Sequence, residues 1–163
     1  MKNIKELIEK AQAGDYKAKY ELGKCYYFGE GVEKDYEKAA ELFKSVANLE
    51  EEDYYGNWDN LYWDVDLAKY LLGELYYYGE GVEKDYKQAV YLLSRSDNEN
   101  AIKLLADCYY YGFGVEVDFC KAFKYYKDAA IACHPEAQEC LDRMLKEPHF
   151  NQDGELISFE ELL

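Results

Sequence analysis

The 163-residue sequence predicts an all-α fold built from stacked helical repeats, and three observations carry that prediction. First, one pattern recurs. It runs from Ala18 through Leu22-Gly23 and Tyr26-Tyr27-Phe28-Gly29-Glu30-Gly31-Val32 to Asp35 and Ala39. It returns from Ala68 through Leu72-Gly73 and Tyr76-Tyr77-Tyr78-Gly79-Glu80-Gly81-Val82 to Asp85 and Ala89, and again from Ala101 through Tyr109-Tyr110-Tyr111-Gly112-Phe113-Gly114-Val115 to Asp118 and Ala122. A fourth start, Ala137 with Leu141, lies 36 residues beyond the third. Self-similarity at such a period marks a stacked repeat architecture. Second, Ala18, Leu22, Cys25 and Tyr26 share one stripe of a 3.6-residue helix. Third, the only prolines are Pro135 and Pro148, so nothing breaks a helix before residue 135.

Each element follows from local chemistry. Helices are expected at 2–13, 15–28, 35–49, 61–78, 85–95, 99–111, 118–132 and 135–146. Gly29-Glu30-Gly31 supplies the backbone freedom that ends the first helix and turns the chain back, with Val32 as a small apolar plug. Asp35, Asp85 and Asp118 stand where an N-cap accepts amide hydrogens of the second helix. Gly23, Gly73 and Ala106 share one position; because alanine serves there, the requirement is close helix approach and not a glycine-only dihedral. Cys25 and Cys108 alternate with Leu75 and read as core.

Spacing departs from regularity twice. Units one and two start 50 residues apart, and the surplus falls within 48–65; units two and three start only 33 apart, so the second helix of unit two is short. Residues 1–146 are therefore expected to form the repeat domain, about three repeats plus end helices, and 147–163 a tail.

The formal charge of −15 opposes nucleic-acid phosphates and anionic headgroups, which leaves neutral or basic partners. The opening helix lacks the apolar core of a signal peptide, and no run approaches a membrane span. Five cysteines without CxxC spacing fit reduced thiols in a cytoplasmic protein.

The alanine, Leu-Gly pair, tyrosine, Gly-x-Gly-Val turn, aspartate and second-helix alanines resemble the Sel-one-like repeat, a relative of the tetratricopeptide repeat. The resemblance covers roughly residues 1–146 and implies an α/α superhelix, a right-handed solenoid of antiparallel helix pairs. It also implies a bacterial adaptor that holds another protein, with the first helix of each pair lining a concave groove. Turning 100° per residue from the Ala18, Leu22, Cys25 stripe places Tyr20, Lys24 and Tyr27 on the opposite side. Their equivalents are Tyr70, Glu74 and Tyr77, then Lys103, Asp107 and Tyr110. A tyrosine-lined groove suits an extended peptide or a partner's helix, whereas the same rings packed between repeats would merely close the stack. Tyr26, Tyr76 and Tyr109 belong to the structural side.

Other candidates are weaker. Trp58 and Trp63 lie in an aromatic joint with Tyr54, Tyr55 and Tyr62; Trp58 is a candidate partner contact, and Trp63 is expected to fold back over the seam. The tail echoes a calcium loop at Asp153-Gly154 and Glu160, but its first place would be His149 and its ninth Ile157, so a turn and a short strand-like or helical tail packed on the last repeat is expected instead. His134, before Pro135, reads as a helix cap. No triad, phosphate loop or HExxH occurs, and no cofactor or metal is expected. The alternative to a scaffold is a binding protein or enzyme for a small cationic ligand held by Glu74 and Asp107 in an acidic groove. Either monomer or weak homodimer is compatible with so few repeats.

Overall fold

A computed structural model describes residues 3–49, 61–150 and 155–158. Among these are eight helices: α1 (Ile4–Gln12), α2 (Tyr16–Phe28), α3 (Tyr36–Ala47), α4 (Leu61–Tyr78), α5 (Tyr86–Leu93), α6 (Glu99–Tyr111), α7 (Phe119–Ile131) and α8 (Ala137–Lys146). Every end lies within two residues of the sequence expectation, because the chain punctuates its helices chemically. Asp35 Oδ1 accepts the Lys38 amide at 3.0 Å and Asp118 Oδ1 the Lys121 amide at 2.9 Å. Asp15 caps α2 in the same way, through the Ala18 amide at 3.0 Å. Such caps are each worth about 1 kcal/mol. At the other end, Gly29 and Gly112 adopt the left-handed conformation and donate their amides back to Cys25 and Cys108. The amides of Asp35, Asp85 and Asp118 then reach the carbonyls of Tyr26, Tyr76 and Tyr109. The turn is thus the same object three times.

The chain divides into two compact units, residues 1–85 and 86–163. In the first, α2 packs on α3, with α1 on one side and α4 on the other. Cys25, Phe43, Val46, Val65 and Leu75 form its deepest layer. Gly23 explains its own identity: a Cβ there would stand 2.6 Å from the Phe43 ring. In the second unit α6 packs on α7, α5 adjoins α6 and α8 adjoins α7. Ala106, Phe123, Tyr126, Leu141 and Met144 make its core.

The second glycine of the turn does a separate job. A Cβ on Gly81 would lie 2.3 Å from the backbone carbon of Tyr36, at the head of the preceding repeat's second helix. In the second unit a Cβ on Gly114 would lie 2.5 Å from the Tyr86 backbone in the same relation. Each later turn is therefore seated directly on main chain. At Gly31 a Cβ would meet, among the described residues, the Ile4 side chain at 3.2 Å.

After α8 the chain folds back. Phe150 and Leu156 form an antiparallel bridge, and the Ile157 amide donates to the His149 carbonyl at 2.8 Å. Ile157 packs against the core of the second unit, as the strand-like alternative for the tail required. The calcium-loop echo at Asp153, Gly154 and Glu160 lies outside the described residues, as do Tyr54, Tyr55 and Trp58. His134 is not the N-cap: that position is Glu136, which makes no side-chain cap bond, and His134 Nδ1 accepts the Glu136 amide at 3.2 Å just ahead of the helix. Trp63 does not fold back. It stands 65% exposed on the first turn of α4, its ring edge-on to Tyr62 at 5.3 Å, because the helix already begins at Leu61 and turns this side outward.

Candidate functional site

The residues expected to line the groove separate into three kinds. Tyr20 and Asp107 are interior, which corrects their placement on an open face. Tyr20 is 2% exposed, its ring 6.3 Å from that of Phe43, because the second helix of its own repeat covers that flank of α2. Asp107 is buried because α7 brings Tyr126 against it; the Tyr126 hydroxyl donates to Oδ1 at 2.6 Å, and Lys103 pairs with Oδ2 at 3.0 Å.

A second group is half-buried and bonded within its own unit. The Tyr27 hydroxyl donates to Glu74 Oε2 at 2.5 Å and the Tyr70 hydroxyl to Oε1 at 3.0 Å, so one carboxylate ties three of the candidates together. Burial, reinforced by the bond to Glu74 and its charge, holds the Tyr27 phenol far above the ordinary tyrosine range. Lys24 pairs with Glu21 at 2.7 Å and lies over the Tyr20 ring. Lys103 bridges Asp107 and Glu136. Burial alone would lower its pKa, but the two carboxylates outweigh that and raise it. The Tyr110 hydroxyl reaches Glu147 at 3.3 Å, and Tyr77 sits edge-on to Tyr78. Both oxygens of Glu74 and of Asp107 are thus engaged within the fold.

A third group went unrecognised in the sequence. Phe28, Tyr78 and Tyr111 occupy one register position, the last residue of each first helix, and are 54%, 51% and 50% exposed. Each ring is held edge-on by the preceding tyrosine: Tyr27 at 4.8 Å, Tyr77 at 5.0 Å and Tyr110 at 4.8 Å. Such edge-to-face pairs fix the ring's orientation and contribute about 0.5–1.5 kcal/mol. The signal was present: an aromatic at all three copies of a position that helical spacing sets about 100° past Tyr27, off the core stripe. Beside each ring runs an acidic turn. Glu30, Glu33 and Asp35 face one Lys34; Glu80, Glu83 and Asp85 face one Lys84; Glu116 and Asp118 stand without a lysine in their turn.

The five cysteines form no disulfide, and Cys25 and Cys108 are buried. Burial, with the Asp107 charge beside it, pushes the Cys108 thiol up to about 12. No group of three or more metal-binding side chains occurs among the described residues, and none of their helices is long and apolar enough to cross a membrane.

Comparison with known proteins places this arrangement. A protective antigen of uropathogenic Escherichia coli strains that displays an SLR fold superposes with a TM-score of 0.67 at 29% identity, over 86% of this chain and 28% of that one. This chain thus spans little more than a quarter of that antigen. A Sel1 repeat protein from Oxalobacter formigenes superposes with a TM-score of 0.65 at 25% identity, over 88% of this chain and 99% of that one. No curated protein matches the sequence. The fold is the helical-repeat solenoid of these neighbours, and members of the repeat class generally act as protein-interaction scaffolds without enzymatic activity. The Sel1 repeat pattern matches residues 17–50, 66–96 and 100–132, the same three units that carry the repeated turn, and the chain belongs to the Sel1 repeat family.

Proposed function

We propose that this protein is a scaffold that binds a neutral or basic protein segment on the first-helix face of its repeats, and that it does not catalyse a reaction. The observation that carries the reading is the register-equivalent set Phe28, Tyr78 and Tyr111, half-exposed rings held rigid beside acidic turns. Rigid aromatics supply contact area at little entropic cost, and a partner's lysines or arginines complement the flanking carboxylates. Tyr27, Tyr77 and Tyr110 hold these anchors edge-on; Lys24, Tyr70, Glu74 and Lys103 lie one to two turns back on the same helices, and Tyr20 and Asp107 are buried. Trp63 is a separate exposed ring of the first unit, at the opposite end of α4 from Tyr78. Residues 1–146 are taken as the binding solenoid and 147–163 as a terminal segment. Five cysteines outside any disulfide support a cytoplasmic site of action.

The test is a displayed library of random peptides selected on the immobilised full chain. The expected consensus combines lysine or arginine with spaced apolar residues. The variant Phe28→Ala/Tyr78→Ala, shown to be folded by circular dichroism, should lose at least tenfold in affinity for the selected peptides. Selection of acidic peptides, or equal binding by the folded variant, refutes the reading. Gel filtration of the same sample decides between monomer and weak homodimer.

A further inference from the structure

The same constellation of rings occurs in each unit. Tyr27 sits 5.3 Å from Tyr36 and 6.2 Å from Phe43; Tyr110 sits 5.5 Å from Phe119 and 6.4 Å from Tyr126, at identical sequence offsets. What covers the tyrosine differs. In the first unit the next repeat covers it, through Glu74 on α4. In the second unit the returning chain covers it. Glu147 accepts the Tyr110 hydroxyl, and the His149 ring lies 5.7 Å from Tyr110 and 4.5 Å from Phe119. The terminal segment thus supplies the carboxylate and the packing that a following repeat would supply.

The replacement brings in a titratable group. His149 is 6% exposed, and its main-chain carbonyl accepts the Ile157 amide, so the buried ring and the bond to Ile157 belong to one residue. Glu147 on its own segment and Arg143 on α8 bring charge to the ring, the Met144 backbone on α8 hydrogen-bonds to it, Tyr110 faces it from α6 and Phe119 from α7. We propose that residues 147–150, with Ile157 bonded to the His149 carbonyl, form a pH-operated latch on the third repeat, closed by the neutral His149 ring between Tyr110 and Phe119 and released when that ring takes a proton. Release uncovers Tyr110, so the latch also regulates the proposed binding face; the latch itself does not depend on that reading.

The direction follows from linkage. Burial, the largest effect, lowers the pKa of His149 in the closed state; the Glu147 charge and a hydrogen bond to the Met144 backbone partly oppose it, and Arg143 adds to it. A group that binds its proton less well when closed favours the closed state fully above its free value, about 6.5. That preference is lost as pH falls from there through the closed-state pKa, by at most about tenfold per pH unit.

The experiment is amide hydrogen exchange of the full chain, read by NMR between pH 7.5 and 5.5 and corrected for the intrinsic rate. Protection of the Ile157 amide is expected to fall several-fold below pH 6.5, while that of Leu105 in α6 holds. In His149→Phe, which keeps a ring and loses the proton site, the fall should vanish. Protection independent of pH in the wild type, or an equal fall in the variant, overturns the proposal. Should His149→Phe not fold, the wild-type titration of the His149 ring decides alone: a pKa at or above that of a free histidine overturns the latch, and a lower one supports it.

Discussion

Replacing Gly81 with alanine is expected to destabilise the protein far more than the same change at Gly31, although both occupy one position of the repeated turn. Both have left-handed dihedrals, φ +68° and +77°, so both substitutions bear the same backbone penalty of about 1–2 kcal/mol. Their surroundings differ. At Gly31 the new methyl meets Ile4 Cδ1 and Cγ1 at 3.2 Å, the far end of a side chain that yields by a small rotation. At Gly81 it meets the Tyr36 carbon at 2.3 Å and the Glu37 nitrogen at 2.4 Å, both main chain at the head of α3. Restoring ordinary van der Waals separation there requires moving the turn by roughly 1 Å. Overpacking of that kind costs about 1–3 kcal/mol beyond the dihedral penalty. The two variants should therefore differ by about 2 kcal/mol, which at a urea m-value of about 2 kcal/mol/M separates their midpoints by about 1 M. Urea denaturation followed by circular dichroism measures this directly. Equal midpoints for Gly31→Ala and Gly81→Ala would show that the turn is not seated on the preceding helix, and the repeats would have to stack by some other contact.

Three further outcomes follow from the structure. Tyr126→Phe removes the hydroxyl that Asp107 Oδ1 accepts at 2.6 Å and leaves a buried carboxylate oxygen short of a donor; a loss of about 1–3 kcal/mol in urea denaturation is expected, and a negligible loss would mean that water reaches Asp107. Thiol labelling with peptide mapping at pH 8 should modify the exposed Cys133 in the native protein, whereas Cys25 and Cys108, buried and in the second case with its thiol pushed up to about 12, should react only in denaturant; native labelling of Cys108 would contradict its burial. Asp64 has a buried Oδ2 without a hydrogen-bond partner, and burial, the largest effect, raises its pKa above that of a free aspartate. The raised value means that ionised Asp64 opposes folding above its folded-state pKa, a penalty relieved as pH falls toward the ordinary aspartate value of about 3.9. Asp64→Asn should accordingly raise the melting temperature at pH 7, and the gain should shrink on acidification; a lower melting temperature at pH 7 would refute this.

The repeats, the helix ends and the core stripe were legible because each is written in local chemistry. Asp35 and Asp118 announce helix starts, Gly29 and Gly112 announce ends, and Cys25, Leu75 and Cys108 mark the buried side. The open face was less legible. A helical wheel locates the side opposite Ala18 and Leu22, but it does not say which flank the second helix takes; that helix took the Tyr20 side, and the exposed aromatic became Phe28. Asp107 was misplaced for a related reason. Phe43 and Tyr126 stand eight residues past their capping aspartates, Asp35 and Asp118, and only Tyr126 brings a hydroxyl into the core. A polar group at a core position needs a partner, and that requirement pointed to an acid facing it. Trp63 lies within the helix expected at 61–78, so its place on α4 was legible, but the side of that helix left open was not.

The glycine seat also acts as a ruler. Seventeen residues separate Ala18 from Asp35, Ala68 from Asp85 and Ala101 from Asp118, without variation. From each aspartate to the next repeat's alanine the intervals are 33, 16 and 19. Side-chain-free contact with main chain tolerates no slack, so length variation falls after each aspartate, in the second helices themselves, which run 12, 8 and 13 residues, and in the connection that follows the first of them. For an engineer the molecule is therefore two-sided: grafted loops or tags belong in that connection, and one residue added between Gly29 and Asp35, or at the matching place in either later repeat, would set the stack out of step.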